Sequence, residues 1–247
     1  VIERFDRIRL DDNEVVRVHQ EDFCQAAGVL PERKYEEHNG PGLALLGDIL
    51  GKHSTDPEPD RWALAEFAAF NYVAGAPDGH AKNISLALWP DDIHVAPLYD
   101  LATSFPYEDR SPATRKSAFS IGGRREFGQV MGKHWDRAAR DMKVDPERYR
   151  DVVRDMAEAL PDAFADALDR TGLPEATTLR ERAMPRLQRH VTDLVGRLDD
   201  PPDPGPKRVR RSRAEGPSGR GRGKTTPAST TGSFIAVERD EADVDLG

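Results

Sequence analysis

The 247 residues carry 36 Lys and Arg against 44 Asp and Glu, a formal net charge of −8, with 37% apolar and 32% charged residues. That mix folds, and its sign argues against general affinity for nucleic acid, although a local basic patch stays open. The length suits one domain of about 200 residues plus a tail. Cys24 is the single cysteine, so an intramolecular disulfide and a cysteine-rich zinc site are excluded, which suits a reducing cytoplasm.

The first residues, Val1-Ile2-Glu3-Arg4-Phe5-Asp6-Arg7, alternate like a strand and begin in its middle, so the chain is expected to be a fragment or to carry a misplaced start. Residues 1–5 and 15–18 read as two short strands around a polar turn. Residues 19–28 read as a short helix that opens on acids and stops at Gly28, and 34–42, with Asn39-Gly40-Pro41-Gly42, as a loop. A short helix is expected over 43–50 and a broad-faced core helix over 60–74, introduced by Pro57 and Pro59. That core helix is too short and too interrupted by Glu66 and Asn71 to span a membrane, which takes about 20 apolar residues. Residues 84–88 and 93–96 read as a strand pair, 103–123 as loop-like with a turn at 120–123, and 134–142, 146–167 and 175–198 as helices. The sum is an α+β, mainly α, domain over 1–198. Residues 199–247, rich in Pro, Gly, Ser and Arg, hold too few apolar residues to offset ordering entropy and are expected to be disordered.

The core helix delivers the chain into Gly75-Ala76-Pro77-Asp78-Gly79-His80-Ala81-Lys82-Asn83, and Asp100 follows Asn83 by seventeen residues, after the strand pair. In protein kinases a catalytic Asp is followed five residues later by a metal-binding Asn, and a further Asp beyond a short hairpin holds the metal again. Asp78, Asn83 and Asp100 repeat that order, with His80 and Lys82 supplying positive charge between them. An Asp and an Asn five apart are common by chance and sit in ordinary turns. The sequence helix, loop, hairpin, Asp is what lends the pair weight. A metal-dependent phosphohydrolase built on Asp78, His80 and Asp100 would leave Asn83 without a role.

Residues 1–7, His19-Gln20-Glu21-Asp22, Lys34-Tyr35-Glu36, Gly40-Pro41-Gly42, the 75–83 loop and Ala96-Pro97-Leu98-Tyr99-Asp100 resemble, in order, the motifs of the carboxy-terminal region of HipA-type serine/threonine kinases. The resemblance covers about residues 1–198 and implies a two-lobed kinase fold of which this is the carboxy-terminal lobe. It implies Asp78 as catalytic base, Asn83 and Asp100 as Mg2+ ligands, and His80 and Lys82 as contacts to the phosphates of ATP. Glu3 and Phe5 would form the hinge that meets adenine through its backbone, with Tyr99 also among the cofactor-binding residues. It further implies a toxin of a toxin–antitoxin pair, with a helix-turn-helix antitoxin as partner and DNA bound only through that complex. The implied protein substrate is a serine of an aminoacyl-tRNA synthetase, whose phosphorylation inhibits growth and gives drug tolerance. The family's phosphate-covering loop and its lysine lie before the hinge, so this chain is expected to hold half of a nucleotide site and to bind Mg-ATP weakly alone. The rival expectation is a catalytically inactive lobe that serves as an antitoxin or DNA interaction module.

Arg124, Arg125, Lys133 and His134 form a small basic cluster read as a solvated helix entrance, and the basic runs at 207–213 and 220–224 as solvated linker. His94, His134 and His190 lack metal-ligand spacing and are expected at the surface or packed, and Trp62, Trp89 and Trp135 in core or turn packing.

Overall fold

Pro57 and Pro59 fill the first turn of α3 (Pro57–Val73), where their missing amides leave no helical hydrogen bond unmade. From there Leu64, Ala65, Phe67, Ala68, Ala69, Tyr72 and Val73 are buried, too many for one stripe, so the helix is packed on most sides. In this computed structural model, which describes residues 4–11, 13–107 and 115–199, α3 is the central element of the core. It packs on α2 (Leu43–His53), α4 (Gly132–Met142), α5 (Pro146–Thr171) and α6 (Ala176–Leu198).

Polar atoms fix these helices to one another. Tyr149 of α5 donates its hydroxyl to the Ala65 carbonyl at 2.9 Å, and His190 Nε2 of α6 lies 2.9 Å from the Tyr72 carbonyl. Trp135 of α4 sets its ring edge against Tyr72 and Tyr149, with centroids 5.2 and 5.7 Å apart. Truncating a fully buried ring such as Phe67 to alanine would cost about 3–5 kcal/mol.

Among the described residues three small antiparallel sheets decorate the helices. β1 (Arg7–Arg9) pairs with β2 (Val15–Arg17), with Ile8 opposite Val16. β3 (His19–Asp22), β4 (Ser85–Trp89) and β5 (Asp92–Val95) form a second sheet in that order, with Asp22 opposite Ser85 and Trp89 opposite Asp92. β6 (Lys116–Ile121) and β7 (Arg124–Glu126) make the third.

The mainly α character and the order of the long helices agree with the sequence reading, and four local expectations change. Among the described residues the first strand lies at Arg7–Arg9, and Phe5 sits in the turn before it because buried Asp6 gathers Arg4 and Arg7 and its carbonyl accepts from Val18 N. Residues 19–22 are strand, not helix. Their backbone pairs with β4, and Asp22 serves as N-cap of the short α1 (Phe23–Ala26), accepting from Gln25 N. The strand pair at 84–96 therefore has a third member. The segment 103–123 contains β6, whose hairpin turns on Gly122 and Gly123, both at positive φ. A side chain at Gly122 would lie 2.1 Å from the His134 carbonyl oxygen, so the turn closes directly onto α4.

Glu3, named as half of the hinge, and the expected tail from 200 onward lie outside the described residues. Helix α6 ends at Leu198. Among the described residues no helix is long and apolar enough to cross a membrane.

Candidate active site

The 75–83 loop is bracketed by two elements that are tied together. It leaves α3 at Ala74 and enters β4 at Ser85, while at the far end of α3 buried Asp60 accepts from Ser54 Oγ at 2.5 Å and from Val95 N of β5 at 3.0 Å. Helix and sheet thus hold the loop at both ends.

Inside the loop Gly75 adopts φ +63°, against the Phe105 ring. Gly79 rests on Asn71 of α3, where a Cβ would lie 2.4 Å from the amide carbon. Ala76 N donates to the Asn71 carbonyl at 2.8 Å, His80 N to the Asp78 carbonyl at 2.9 Å and Asn83 N to the His80 carbonyl at 2.8 Å. This succession of tight turns leaves Asp78 at the exposed tip, its side chain 67% accessible, and buries His80 and Asn83 behind it.

Two clusters result. In the first, Asp78 Oδ1 stands 3.8 Å from His80 Nε2 and accepts a hydrogen bond from the Tyr35 hydroxyl. Burial, and after it the nearby Lys34 ammonium, lower the pKa of His80 below the ordinary histidine value, with Asp78 pulling the other way. At neutral pH the ring is therefore a neutral hydrogen-bonding group and not a cation.

In the second cluster Asn83 donates its side-chain amide to Asp100 Oδ2. Asp100 is a non-glycine residue at φ +57°, a conformation that costs roughly 1 kcal/mol or more and turns the carboxylate back toward the loop. Tyr99 anchors that turn: its hydroxyl donates to the Lys82 carbonyl at 2.9 Å and shares a 2.5 Å hydrogen bond with Ser85. The Phe5 ring stacks on Tyr99 with centroids 6.5 Å apart, so the aromatic expected at the hinge meets the Tyr-Asp pair.

Lys82 Nζ lies 2.5 Å from Asp22 Oδ2, and that carboxylate raises its pKa. The ammonium faces β3, and as placed it holds the loop to the sheet. Two participants had no role in the sequence reading. Tyr35 stood inside a quoted motif, and Asp22 belonged to a segment read as helix; the strand pairing of residues 19–22 is what brings Asp22 under Lys82.

The donor set fits a hard cation. Asn83 Oδ1 is buried with no hydrogen-bond partner among the described residues, beside the Asp100 carboxylate. A buried carbonyl oxygen left unpaired is costly unless something completes it. Mg2+ is bound by one or two protein oxygens, with water and phosphate filling the rest. No group of three His, Cys, Asp or Glu side chains suited to a metal occurs among the described residues.

Comparison with known proteins places the chain in a family. The model of the HipA-like C-terminal domain matches residues 1–164. Y4mE of Sinorhizobium fredii is 37% identical over 171 residues, covering 69% of this chain and 40% of that protein. The serine/threonine-protein kinase toxin HipA of Shewanella oneidensis is 32% identical over 120 residues, 44% of this chain and 28% of HipA. The solved complex of Shewanella oneidensis HipA with HipB and operator DNA aligns at a TM-score of 0.69 and 23% identity, over 80% of this chain and 49% of that one. The last likeness speaks to the fold, an α+β arrangement of the HipA type. The chain spans about half or less of the length of each relative. It belongs to the HipA-like C-terminal domain family.

Proposed function

We propose that this chain forms the catalytic wall of an ATP-dependent serine/threonine protein kinase of the HipA type. The observation that carries this is that Asn83, on the same nine-residue loop as exposed Asp78, pairs with Asp100 from beyond the β4–β5 hairpin. Asp78 accepts the proton of a protein serine hydroxyl as the oxygen–phosphorus bond forms and the bond between the γ-phosphorus and the ADP oxygen breaks. Asn83 Oδ1 and the Asp100 carboxylate would hold Mg2+, which would supply positive charge against the phosphates of ATP.

His80, buried and neutral, gives a hydrogen-bond donor near the transferred group. Lys82 reaches phosphate by exchanging Asp22 for it. Glu3 and Phe5 meet adenine through their backbone, with Tyr99 bracing Phe5 from below. The substrate proposed is a serine of an aminoacyl-tRNA synthetase, in the cytoplasm, with growth inhibition as the outcome. A helix-turn-helix antitoxin is the proposed partner, and operator DNA is reached only through it. Support for the partner comes from the HipA–HipB–DNA complex whose fold this chain shares.

Phosphoproteomics of bacteria expressing the full-length protein tests this. Serine phosphate on an aminoacyl-tRNA synthetase, absent when Asp78→Asn is expressed, is the expected result. Identical phosphoserine profiles in the two cultures would overturn it.

A further inference from the structure

Asp78 stands at the tip of an exposed loop, where a carboxylate bound only by solvent would rotate freely about two torsions. One neighbour prevents this. The Tyr35 hydroxyl, 43 residues earlier in the chain, donates to Asp78 Oδ1. The Tyr35 ring is itself fixed: it sits edge-on to His80 at 5.0 Å and to His38 at 5.9 Å, and Lys34 Nζ lies over it at 5.2 Å.

The segment that carries Tyr35 is clamped rather than loose. His38 N and Gly40 N both donate to the Tyr35 carbonyl at 3.0 Å. A Cβ at Gly40 would lie 2.0 Å from the Arg33 carbonyl oxygen and 2.6 Å from that of Tyr35, so only glycine closes this turn. On the far side half-buried Glu36 accepts from Ser120 N of β6 at 2.6 Å, and Glu37 pairs with Arg125 of β7 at 2.6 Å. The β6–β7 ribbon therefore braces residues 34–42 against the catalytic loop. Burial, then the bond to Asp78, push the Tyr35 phenol up to about 12, so it remains a donor throughout the neutral range.

We propose that Tyr35 is a positioning residue for Asp78, holding Oδ1 so that Oδ2 faces the acceptor hydroxyl; this rests on the assignment of Asp78 as base. A phenol hydroxyl suits the task because it gives one directional donor from a stiff ring with two torsions, and leaves the second carboxylate oxygen unencumbered. Misplacing a base by about 1 Å costs up to a hundredfold in rate, so a modest gain in order has a large kinetic effect.

Two measurements on the full-length protein test it. With 13C-labelled tyrosine, the Tyr35 ring-carbon resonance, assigned by its loss in Tyr35→Phe, is expected to move in Asp78→Asn while those of Tyr72 and Tyr149 hold. An unmoved Tyr35 signal would overturn the contact. In the kinase assay Tyr35→Phe is expected to lower kcat about tenfold with KM for ATP unchanged, and to add nothing when Asp78 is already Asn. A parental kcat in Tyr35→Phe, or losses that multiply in the double variant, would overturn the positioning role and leave the base assignment standing. Parental kcat in Asp78→Asn would instead remove the base assignment itself.

Discussion

Asn83 gives its side-chain amide to the Asp100 carboxylate across seventeen residues of chain, and its carbonyl oxygen is buried without a partner among the described residues. That hydrogen bond fixes which end of the asparagine meets the carboxylate. If this pair is the metal seat, Asn83→Ala and Asp100→Asn should each raise the Mg2+ concentration needed for half-maximal phosphotransfer by at least about tenfold, the loss of one ligand bond or charge. A magnesium titration of transfer reads this directly. Unchanged midpoints in both variants would remove the pair from metal binding.

Gly79 meets Asn71, whose amide is already held by the Phe67 carbonyl at 2.8 Å within α3. The asparagine cannot retreat into a fully packed helix, so Gly79→Ala must displace the loop. A cost of about 1–3 kcal/mol is expected in urea unfolding, as for overpacking generally, together with impaired transfer. A parental midpoint would show that the contact is soft.

Asp22 does two jobs with one carboxylate: Oδ1 caps α1 at Gln25 N and Oδ2 takes the Lys82 ammonium. Asp22→Ala loses both. The cap is worth about 1 kcal/mol and the part-exposed ion pair adds less than about 1 kcal/mol after solvent screening, so a total of roughly 1–2 kcal/mol is expected at unchanged urea m-value. Freed from Asp22, Lys82 becomes available to phosphate. Tighter Mg-ATP binding by Asp22→Ala, seen by calorimetry, would support its proposed contact, and weaker binding would count against it.

The long helices were legible because their apolar residues recur at helical spacing and their starts carry proline. So was the 75–83 loop as the connection from the core helix to the strand pair, since glycine and proline punctuate it. What escaped depends on pairing between distant segments. Residues 19–22 look helical because acids precede Phe23-Cys24-Gln25-Ala26, and only the β4 backbone makes them strand. Strand β6 escaped because Ser117 and Ser120 sit among its buried or half-buried positions, breaking the alternation that marks a strand. Tyr35 and Asp78 stand 43 residues apart, and nothing local to either announces their bond.

His190 supplies a pH dependence. Burial pushes its pKa from 6.5 down to about 4, and its Nε2 bonds the Tyr72 carbonyl in the core. The unfolded chain then binds a proton between these values that the folded chain refuses. The contribution is complete above pH 6.5 and is lost progressively as the pH falls toward 4, to a total of about 3 kcal/mol. Urea unfolding of the parent and His190→Gln at pH 7.5, 6, 5 and 4.5 should show the parent losing more stability below pH 6.5. Parallel profiles would mean that His190 takes up its proton as readily in the folded chain as in the unfolded one.

The central claim is that Asp78 is the base of a phosphotransferase. Transfer of the labelled γ-phosphoryl of ATP to protein serine by the full-length protein, parent against Asp78→Asn, measures it. A fall of about a hundredfold or more, with near-ultraviolet dichroism and urea midpoint retained, is the predicted result. Transfer by Asp78→Asn at the parental rate would contradict it.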